Sequence, residues 1–207
     1  MSSGPVQSSW QFPRGAAGAP RPLRTLAGNG RGDVVKILLE REGVIPDNAD
    51  KNGRTPLIWA AGNGNDNVVK MLLERQGVAP DIADESGRSA LLWAARFGHD
   101  GIVNMLLGRK DIIPDTADED GRTPLSWAAG NGRDAVVETL LDLEDIAPDR
   151  ADKNGRTPLT WAAEPGHVWV VELLLERLSV SQDVQKRDPA GQTIPCLVFK
   201  LSTWWED

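Results

Sequence analysis

The sequence is dominated by a segment of nine residues that recurs at a fixed spacing. Residues 53–61 read GRTPLIWAA, and the related segments GRSALLWAA, GRTPLSWAA and GRTPLTWAA begin at positions 87, 121 and 155, a step of 34 residues each time. The first glycine and the tryptophan of each segment keep this register independently. A fixed period of this length indicates a stack of structural units in place of ordinary globular domains.

Charge and cysteine content restrict the partners and the compartment. The net charge is −7, and because the first 25 residues hold three arginines and no acidic residue, residues 26–207 carry 20 basic and 30 acidic side chains. This balance repels a phosphate backbone, so we expect no nucleic acid partner. One cysteine, Cys196, cannot form an internal disulfide, and the sequence shows neither a secretory signal nor 18 consecutive apolar residues. We therefore expect a monomeric, soluble intracellular protein, cytoplasmic or nuclear, without membrane contact.

Each unit begins with a short helix whose ends are marked in the sequence. Thr55 is a suitable N-cap, and Pro56 fits the first helical position, where no backbone N–H is required. Leu57, Ala60 and Ala61 then share one apolar face. The helix is predicted to end at a left-handed glycine, because one glycine column is unbroken: Gly30, Gly64, Gly98, Gly132 and Gly166.

A second helix and a long turn complete the unit. Val68, Val69, Leu72 and Leu73 lie on one side of the second helix. Residues 76–89 show no helical periodicity and contain the Gly, Pro and Asp residues typical of turns. Tetratricopeptide repeats share this period but have two longer helices and short loops, so the pattern favours ankyrin repeats.

Residues 21–188 resemble five ankyrin repeats in their succession of T-P-L-x-x-A-A, Gly and V-V-x-x-L-L. The resemblance implies an all-α fold, an ankyrin-repeat solenoid of stacked antiparallel helix pairs with projecting β-turn fingers. We expect a flexible N-terminal tail at 1–20 and a degenerate C-terminal capping half-repeat at 189–207. The repeats are placed at 21–50 (the N-terminal cap), 51–84, 85–118, 119–152 and 153–188.

The repeats depart from the family pattern at two adjacent positions. The usual His after T-P-L is replaced by Ile58, Leu92, Ser126 and Thr160, which puts the hydrogen bond of that His between turns in doubt. The next position is Trp in the four full repeats, a variant similar to ankyrin arrays of fungal multidomain proteins, often behind a nucleotide-binding signalling domain.

The resemblance implies a non-catalytic interaction module that binds another protein or peptide on its concave face and finger tips. The alternative is a regulatory or sensor array of a larger signalling protein, nucleotide-binding and innate-immunity-like, that acts intramolecularly. A third interpretation is a purely structural spacer.

Candidate metal and catalytic sites fail on their spacing. An EF-hand interpretation of residues 48–59 lacks the bidentate Glu at the twelfth position, which is Trp59. His99 and His167 lie two repeats apart, near 20 Å at about 10 Å per helix layer, too far to share a metal. The glycine run at 28–33 lacks a Walker lysine, and no Ser/His or Cys/His pair can be assembled. We therefore predict no enzyme activity and no cofactor.

Two charged columns and one aromatic column accompany the recurring segment. Asp50, Asp84, Asp118 and Asp152 stand beside Arg54, Arg88, Arg122 and Arg156. The preferred interpretation is a ladder of exposed ion pairs, each worth about 0 to 1 kcal/mol, and the alternative is a row of guanidinium groups for an acidic peptide. The tryptophans are interpreted as packing between helix pairs, with an aromatic trough for a ligand as the alternative: Trp59, Trp93, Trp127 and Trp161.

By resemblance, partner binding uses the finger tips and the ends of the first helices, where the repeats differ. Repeat three alone offers a charged fork beside an aromatic side chain, so the energetic centre is placed at Arg96 and Phe97. The complete set of candidate residues is Lys51, Asn52, Arg54, Glu85, Ser86, Arg88, Arg96, Phe97, Glu119, Asp120, Arg122, Lys153, Asn154, Arg156 and Glu164.

Overall fold

A computed structural model describes residues 22–41 and 43–180 of the chain. These residues form ten α-helices and no β-strand, arranged as five pairs of one inner and one outer helix. The inner helices are α1 (Pro22–Gly28), α3 (Pro56–Gly62), α5 (Ala90–Phe97), α7 (Pro124–Gly130) and α9 (Pro158–Ala163). The outer helices are α2 (Gly32–Leu39), α4 (Asp66–Leu73), α6 (Asp100–Leu107), α8 (Asp134–Leu141) and α10 (Val168–Val180). The expected all-α repeat solenoid is confirmed.

The inner helices begin and end as their sequence predicts. In α3 the Thr55 hydroxyl accepts a hydrogen bond from the backbone N–H of Ile58 at 3.2 Å, and Pro56 occupies the first turn. Ser89, Thr123 and Thr157 cap the other full inner helices in the same way. Each member of the glycine column after these helices has a φ between 60° and 82°, so the predicted left-handed conformation is confirmed.

The outer helices are amphipathic. The first four have an aspartate in their first turn, where a negative charge interacts favourably with the helix N-terminus. The fifth, α10, extends over 13 residues. Each earlier outer helix is followed by a proline, which disfavours helix in the residue before it. The equivalent position in the sequence after α10 is Gln182, in place of Pro46, Pro80, Pro114 and Pro148.

The core lies between the two layers of helices and runs through the whole stack. Small residues such as Ala60 and Ala61 are fully buried on the inner helices, beneath valines and leucines of the outer helices such as Val69 and Leu72. Alanine lets helix backbones approach closely, and neighbouring inner helices contact one another more extensively than neighbouring outer helices do. The stack therefore curves, with the inner helices on its concave side.

The finger turns stack through backbone hydrogen bonds. Glu85 N–H donates to the Asn52 carbonyl at 3.0 Å, and equivalent bonds join Glu119 to Ser86 and Lys153 to Asp120. The glycine of each turn lies against the next finger, so that a Cβ added to Gly53 would meet the Glu85 nitrogen at 2.9 Å. Glycine is required here by its positive φ and by this close approach.

A polar column also joins successive repeats. Asn65 donates its side-chain N–H to the carbonyls of Ala27 and Gly28 in the preceding repeat, at 2.8 and 2.9 Å. His99 lies at the equivalent position, with Nε2 at 3.3 Å from the Gly62 carbonyl oxygen. These side chains satisfy carbonyl groups at the ends of inner helices, so His99 has a structural contact at the end of α3.

Candidate protein-binding face

Each tryptophan of the recurring segment is anchored to an aspartate of its own finger. The indole Nε1–H donates to the Asp Oδ2 nine residues earlier, at 2.9 to 3.0 Å in four repeats. The other carboxylate oxygen accepts two backbone N–H groups of the turn, as Asp118 does from Asp120 and Arg122. One aspartate therefore fixes both the finger turn and the orientation of the indole.

This anchoring corrects the predicted ladder of exposed ion pairs. Asp84, Asp118 and Asp152 are buried, at 6 to 8% exposure, because they lie beneath the indole rings and within their turns. The ion pairs join neighbouring repeats, from Arg54 Nε to Asp84 Oδ2 at 3.6 Å and from Arg88 Nε to Asp118 Oδ2 at 3.7 Å. The exposed-ladder interpretation is therefore wrong for these pairs.

The tryptophans also pack against the preceding repeat. Trp93 lies against Gly62, where an added Cβ would meet the indole at 3.7 Å, and Trp161 lies in the same way against Gly130. Trp127 is buried at 8% exposure, while the other three are half-buried. The burial agrees with the packing interpretation, and the remaining exposed edges face the inner-helix side.

Guanidinium groups alternate with the indole rings along this face. Arg54 lies 5.3 Å from the Trp59 ring centroid and 4.8 Å from that of Trp93. Arg122 is closer, at 3.5 Å from Trp127 and 3.7 Å from Trp161. Such contacts stabilise a cation by about 0.5 to 2 kcal/mol, depending on its desolvation. We call this alternating series the Trp–Arg column.

The column is tight in repeat four and looser in repeats two and three. Burial lowers the pKa of Arg122 to about 10, against the opposing effect of Asp118 and Asp152, and the group remains protonated at neutral pH. Around Trp93 the corresponding guanidinium distances are 4.8 to 5.7 Å. The guanidinium groups therefore lie farther from the indole ring in repeat three than Arg122 does in repeat four.

Repeat three differs from its neighbours at two successive positions of the inner face. Arg96 stands where repeats two and four have glycine, and its guanidinium lies 4.5 Å from the Trp127 ring centroid. Phe97 stacks on Trp93 with centroids 5.8 Å apart and an interplanar angle of 18°. Phe97 is still 40% exposed, so it presents an aromatic surface to the concave side.

An open groove of about 480 Å³ lies between repeats two and three. Its apolar surface is formed by Ile58, Trp59, Trp93 and Phe97, and Arg54 and His99 add polar groups. A second cavity of about 290 Å³ shares Trp59 with the groove and continues towards Arg24 in repeat one. We call the larger cavity the repeat 2–3 groove.

The sequence also matches a family model described as ankyrin repeats in three copies, over residues 23–118 and 111–188. These matches cover most of the chain. The chain belongs to the ankyrin-repeat family. Ankyrin repeats are generally non-catalytic protein–protein interaction modules. No curated protein matches this ankyrin-repeat chain.

The predicted binding residues of this ankyrin array fall into three groups, in the groove, in the Trp–Arg column and at the finger tips, with Glu164 standing apart. Arg54 and Phe97 line the repeat 2–3 groove, and Arg88, Arg96, Arg122 and Arg156 belong to the Trp–Arg column. Glu164 is exposed and hydrogen-bonds Arg156. The finger-tip residues form a separate rim, with Ser86 half-buried and the others exposed: Lys51, Asn52, Glu85, Glu119, Asp120, Lys153 and Asn154.

Several groove residues were not among the sequence-based candidates. Ile58, Trp59, Trp93 and His99 line the groove, but they belong to positions interpreted as scaffold. The sequence does mark this place by a break in the repeat pattern. Repeat three has Arg96, Phe97 and His99 where repeat two has one glycine and two asparagines.

Neither a metal-binding cluster nor a membrane-spanning helix is found in the described part of the ankyrin chain. Residues 22–41 and 43–180 contain no group of three or more His, Cys, Asp or Glu placed to hold a metal ion. None of the helices within these ranges has the length and apolar character needed to cross a membrane. The predicted tail at 1–20 and the half-repeat at 189–207 lie outside the described residues.

Proposed function

We propose that this ankyrin array is a non-catalytic module that binds a partner protein on its concave face, with the energetic centre at the repeat 2–3 groove. The observation that carries the proposal is an open groove of about 480 Å³ with an exposed Phe97 at its edge. Aromatic residues and arginine are the side chains that most often dominate binding energy at protein interfaces.

The different surroundings of constant and variable residues in the repeats support this location. The capping Thr55, the buried Leu57 and the anchored Trp59 are each engaged within the fold. The residues that differ between repeats, such as Lys51, Glu85 and Phe97, are exposed on the fingers and the inner face. Recognition is therefore assigned to the variable positions together with the groove-facing edges of Trp59 and Trp93, and scaffold formation to the other constant positions.

Affinity capture with a double variant tests the proposal. We expect the purified chain to capture a partner protein from cell extract. The Arg96→Glu/Phe97→Ala variant should not capture it, because the first change reverses a charge at the groove edge and the second removes an aromatic ring. The matched control is Arg75→Glu/Ile113→Ala, which makes the same changes at two exposed residues away from the groove. Thermal melting of each variant establishes that it is folded.

Recovery of the same partners by the groove variant and the wild type would reject this location. If both variants lose the partner while remaining folded, the binding surface extends to the turns that follow the outer helices as well. The intramolecular alternative, in which the array regulates a larger signalling protein, stays a prediction, since none of the described contacts bears on it.

A further inference from the structure

Three guanidinium groups gather around Trp93 at the edge of the repeat 2–3 groove. Arg54, Arg88 and Arg96 lie 4.8, 5.7 and 5.4 Å from its ring centroid. Phe97 stacks on the same ring. Trp93 is thus surrounded by three positive charges and one aromatic side chain, a combination found in no other described repeat. We call these five residues the Trp93 cluster.

Two of the three charges have a nearby carboxylate, and the third has none within ion-pair distance. Asp84 lies 3.6 Å from Arg54 Nε and Asp118 lies 3.7 Å from Arg88 Nε. Both carboxylates already accept hydrogen bonds from an indole and from their own turns. Arg96 forms no ion pair with the described residues. The cluster therefore retains a net positive charge, in a chain whose net charge is −7.

The hydrogen-bonding capacity of these guanidinium groups is also underused. Within residues 22–41 and 43–180, the side chains of Arg54, Arg88 and Arg96 donate no hydrogen bond, and the buried Nε atoms of Arg54 and Arg88 have only an ion-pair carboxylate, at 3.6 and 3.7 Å. By contrast, Arg109 donates two hydrogen bonds to the Asp111 carboxylate. Burial, followed by repulsion from Arg88 and Arg54, lowers the pKa of Arg96. An incoming carboxylate would accept hydrogen bonds from the guanidinium N–H groups that stay accessible and would relieve the repulsion.

The repulsion has a specific origin in the repeat pattern. Repeats two and four place Gly62 and Gly130 where repeat three places Arg96. The Trp–Arg column already places Arg54 and Arg88 beside Trp93, so the added Arg96 brings a third positive charge to this ring. An extra charge that the fold does not neutralise indicates a ligand of opposite charge.

The adjacent groove has the complementary apolar character. Ile58, Trp59, Trp93 and Phe97 form a surface on which a bulky apolar side chain can be buried, and the volume lies within the range of ligand pockets. The second cavity beyond Trp59 continues this surface along the stack. A segment lying along the inner helices would therefore place one side chain in the groove and its neighbours beside the arginines.

We propose that the partner presents an extended acidic segment, in which carboxylates bind Arg88 and Arg96 and a bulky apolar side chain fills the groove between Trp59, Trp93 and Phe97. This inference rests on the proposed function and specifies the chemistry of the partner. A carboxylate fits the planar guanidinium fork in a bidentate arrangement. A nucleic acid would instead face the acidic finger tips at Glu85, Glu119 and Asp120, which repel phosphate.

Fluorescence anisotropy with labelled peptides tests this chemistry. The probe is a short fluorescein-labelled peptide with a central Phe flanked by Asp residues. One control peptide has Asn in place of each Asp, and the other has Ser in place of Phe. We expect saturable binding of the probe and at least about tenfold weaker binding of each control, since the Asn peptide loses hydrogen bonds to charged groups and the Ser peptide loses the apolar side chain buried in the groove. Added salt should weaken probe binding.

Variants of the protein locate the effect. Arg96→Gln is expected to weaken probe binding at least about tenfold, and Arg88→Gln provides an independent variant if the first melts at a lower temperature. Arg75→Gln is the matched control, because it removes one positive charge from an exposed residue outside the cluster. It should leave probe binding unchanged.

Equal binding of the Asp and Asn peptides would overturn the acidic assignment, and tighter binding of an oligo-thymidine probe would assign the face to nucleic acid. Failure of all peptides to bind would overturn the inference as well. If the capture experiment still depends on Arg96 and Phe97 while the acidic probe neither binds nor competes, the proposed function stands and this inference fails. If capture is independent of both residues, both proposals fail.

Discussion

At the scale of single residues, the tryptophan and aspartate of each repeat act together. The carboxylate of Asp118 accepts two backbone N–H groups of the finger turn and the indole N–H of Trp127, and the indole covers the carboxylate. Arg88 and Arg122 lie 5.3 and 3.5 Å from the centroid of the same ring. A single pair of residues thus connects the turn, the inner helix and the neighbouring repeat.

Trp127 is predicted to be a major contributor to stability. Trp127→Ala removes the most buried ring of the column, so it should reduce the free energy of unfolding by about 3 to 5 kcal/mol. The matched control is Trp169→Ala, because Trp169 is 45% exposed on α10 and should cost much less. Urea unfolding followed by circular dichroism gives both values. Similar losses for the two variants would contradict the packing interpretation.

Asp118 is predicted to be required for the same arrangement. In Asp118→Asn the amide N–H₂ would face the indole N–H or the backbone donors, leaving a buried donor without an acceptor. We expect a loss of about 2 kcal/mol in the free energy of unfolding. Asp120→Asn, the same change at an exposed finger-tip residue, should alter it by less than about 0.5 kcal/mol. Equal effects in thermal melts would show that Asp118 acts through its charge alone.

The sequence predicted local features at this scale better than contacts between repeats. Thr55, Pro56 and the left-handed glycines could be assigned because their roles depend on the next few residues. The exposed Asp–Arg ladder was wrong because the burial of Asp84 depends on the orientation of the Trp93 ring, which the repeat pattern does not specify. Phe97 was singled out because it breaks the pattern.

At the scale of elements, the finger turns are the most tightly constrained connections. Each turn is closed by backbone bonds, such as Gly87 N–H to the Asp84 carbonyl at 2.8 Å, and is stacked on the next finger through the Glu119 N–H. The helices vary more, since α10 is longer than the other outer helices. Turn residues should therefore tolerate substitution less well than exposed helix residues.

Gly87 and Gly166 allow the two causes of this constraint to be separated. Both have a positive φ, 74° and 82°, but a Cβ added to Gly87 would meet the Glu119 nitrogen at 2.9 Å, whereas Gly166 has no atom within 4 Å. Gly166→Ala should cost about 1 kcal/mol through backbone strain. Gly87→Ala should lower the free energy of unfolding by about 1 to 3 kcal/mol more than Gly166→Ala does, because its added Cβ overpacks the contact between fingers. Equal unfolding free energies in urea would show that the close contact between fingers is unimportant.

Element-level prediction succeeded for the helices and missed most of the groove lining. The periodic apolar residues and caps predicted the inner and outer helices, because both depend on short-range spacing. The repeat 2–3 groove forms between two repeats, where Ile58 and Trp59 of one face Phe97 and His99 of the next. These side chains come together only because the two repeats stack on each other, which short-range sequence spacing does not describe.

At the scale of the whole molecule, the core and the proposed binding face lie in different parts of the stack. The constant residues form one core that continues through the described repeats, while the inner-helix side carries the Trp–Arg column, the groove and the finger tips. The column is closely packed at Arg122 and more open around Trp93. The proposed binding site therefore lies where the repeat pattern is broken and the guanidinium groups stand farther from the indole ring.

Site-specific photocrosslinking tests this central claim most directly. The photoreactive residue p-benzoylphenylalanine is placed either at position 97, beside the groove, or at position 113, where Ile113 is exposed outside the groove. Each chain is mixed with the purified partner and irradiated. We predict a covalent complex from position 97, suppressed by the acidic Phe peptide, and none from position 113. Crosslinking from position 113 alone would contradict the assignment of the concave face as the binding surface.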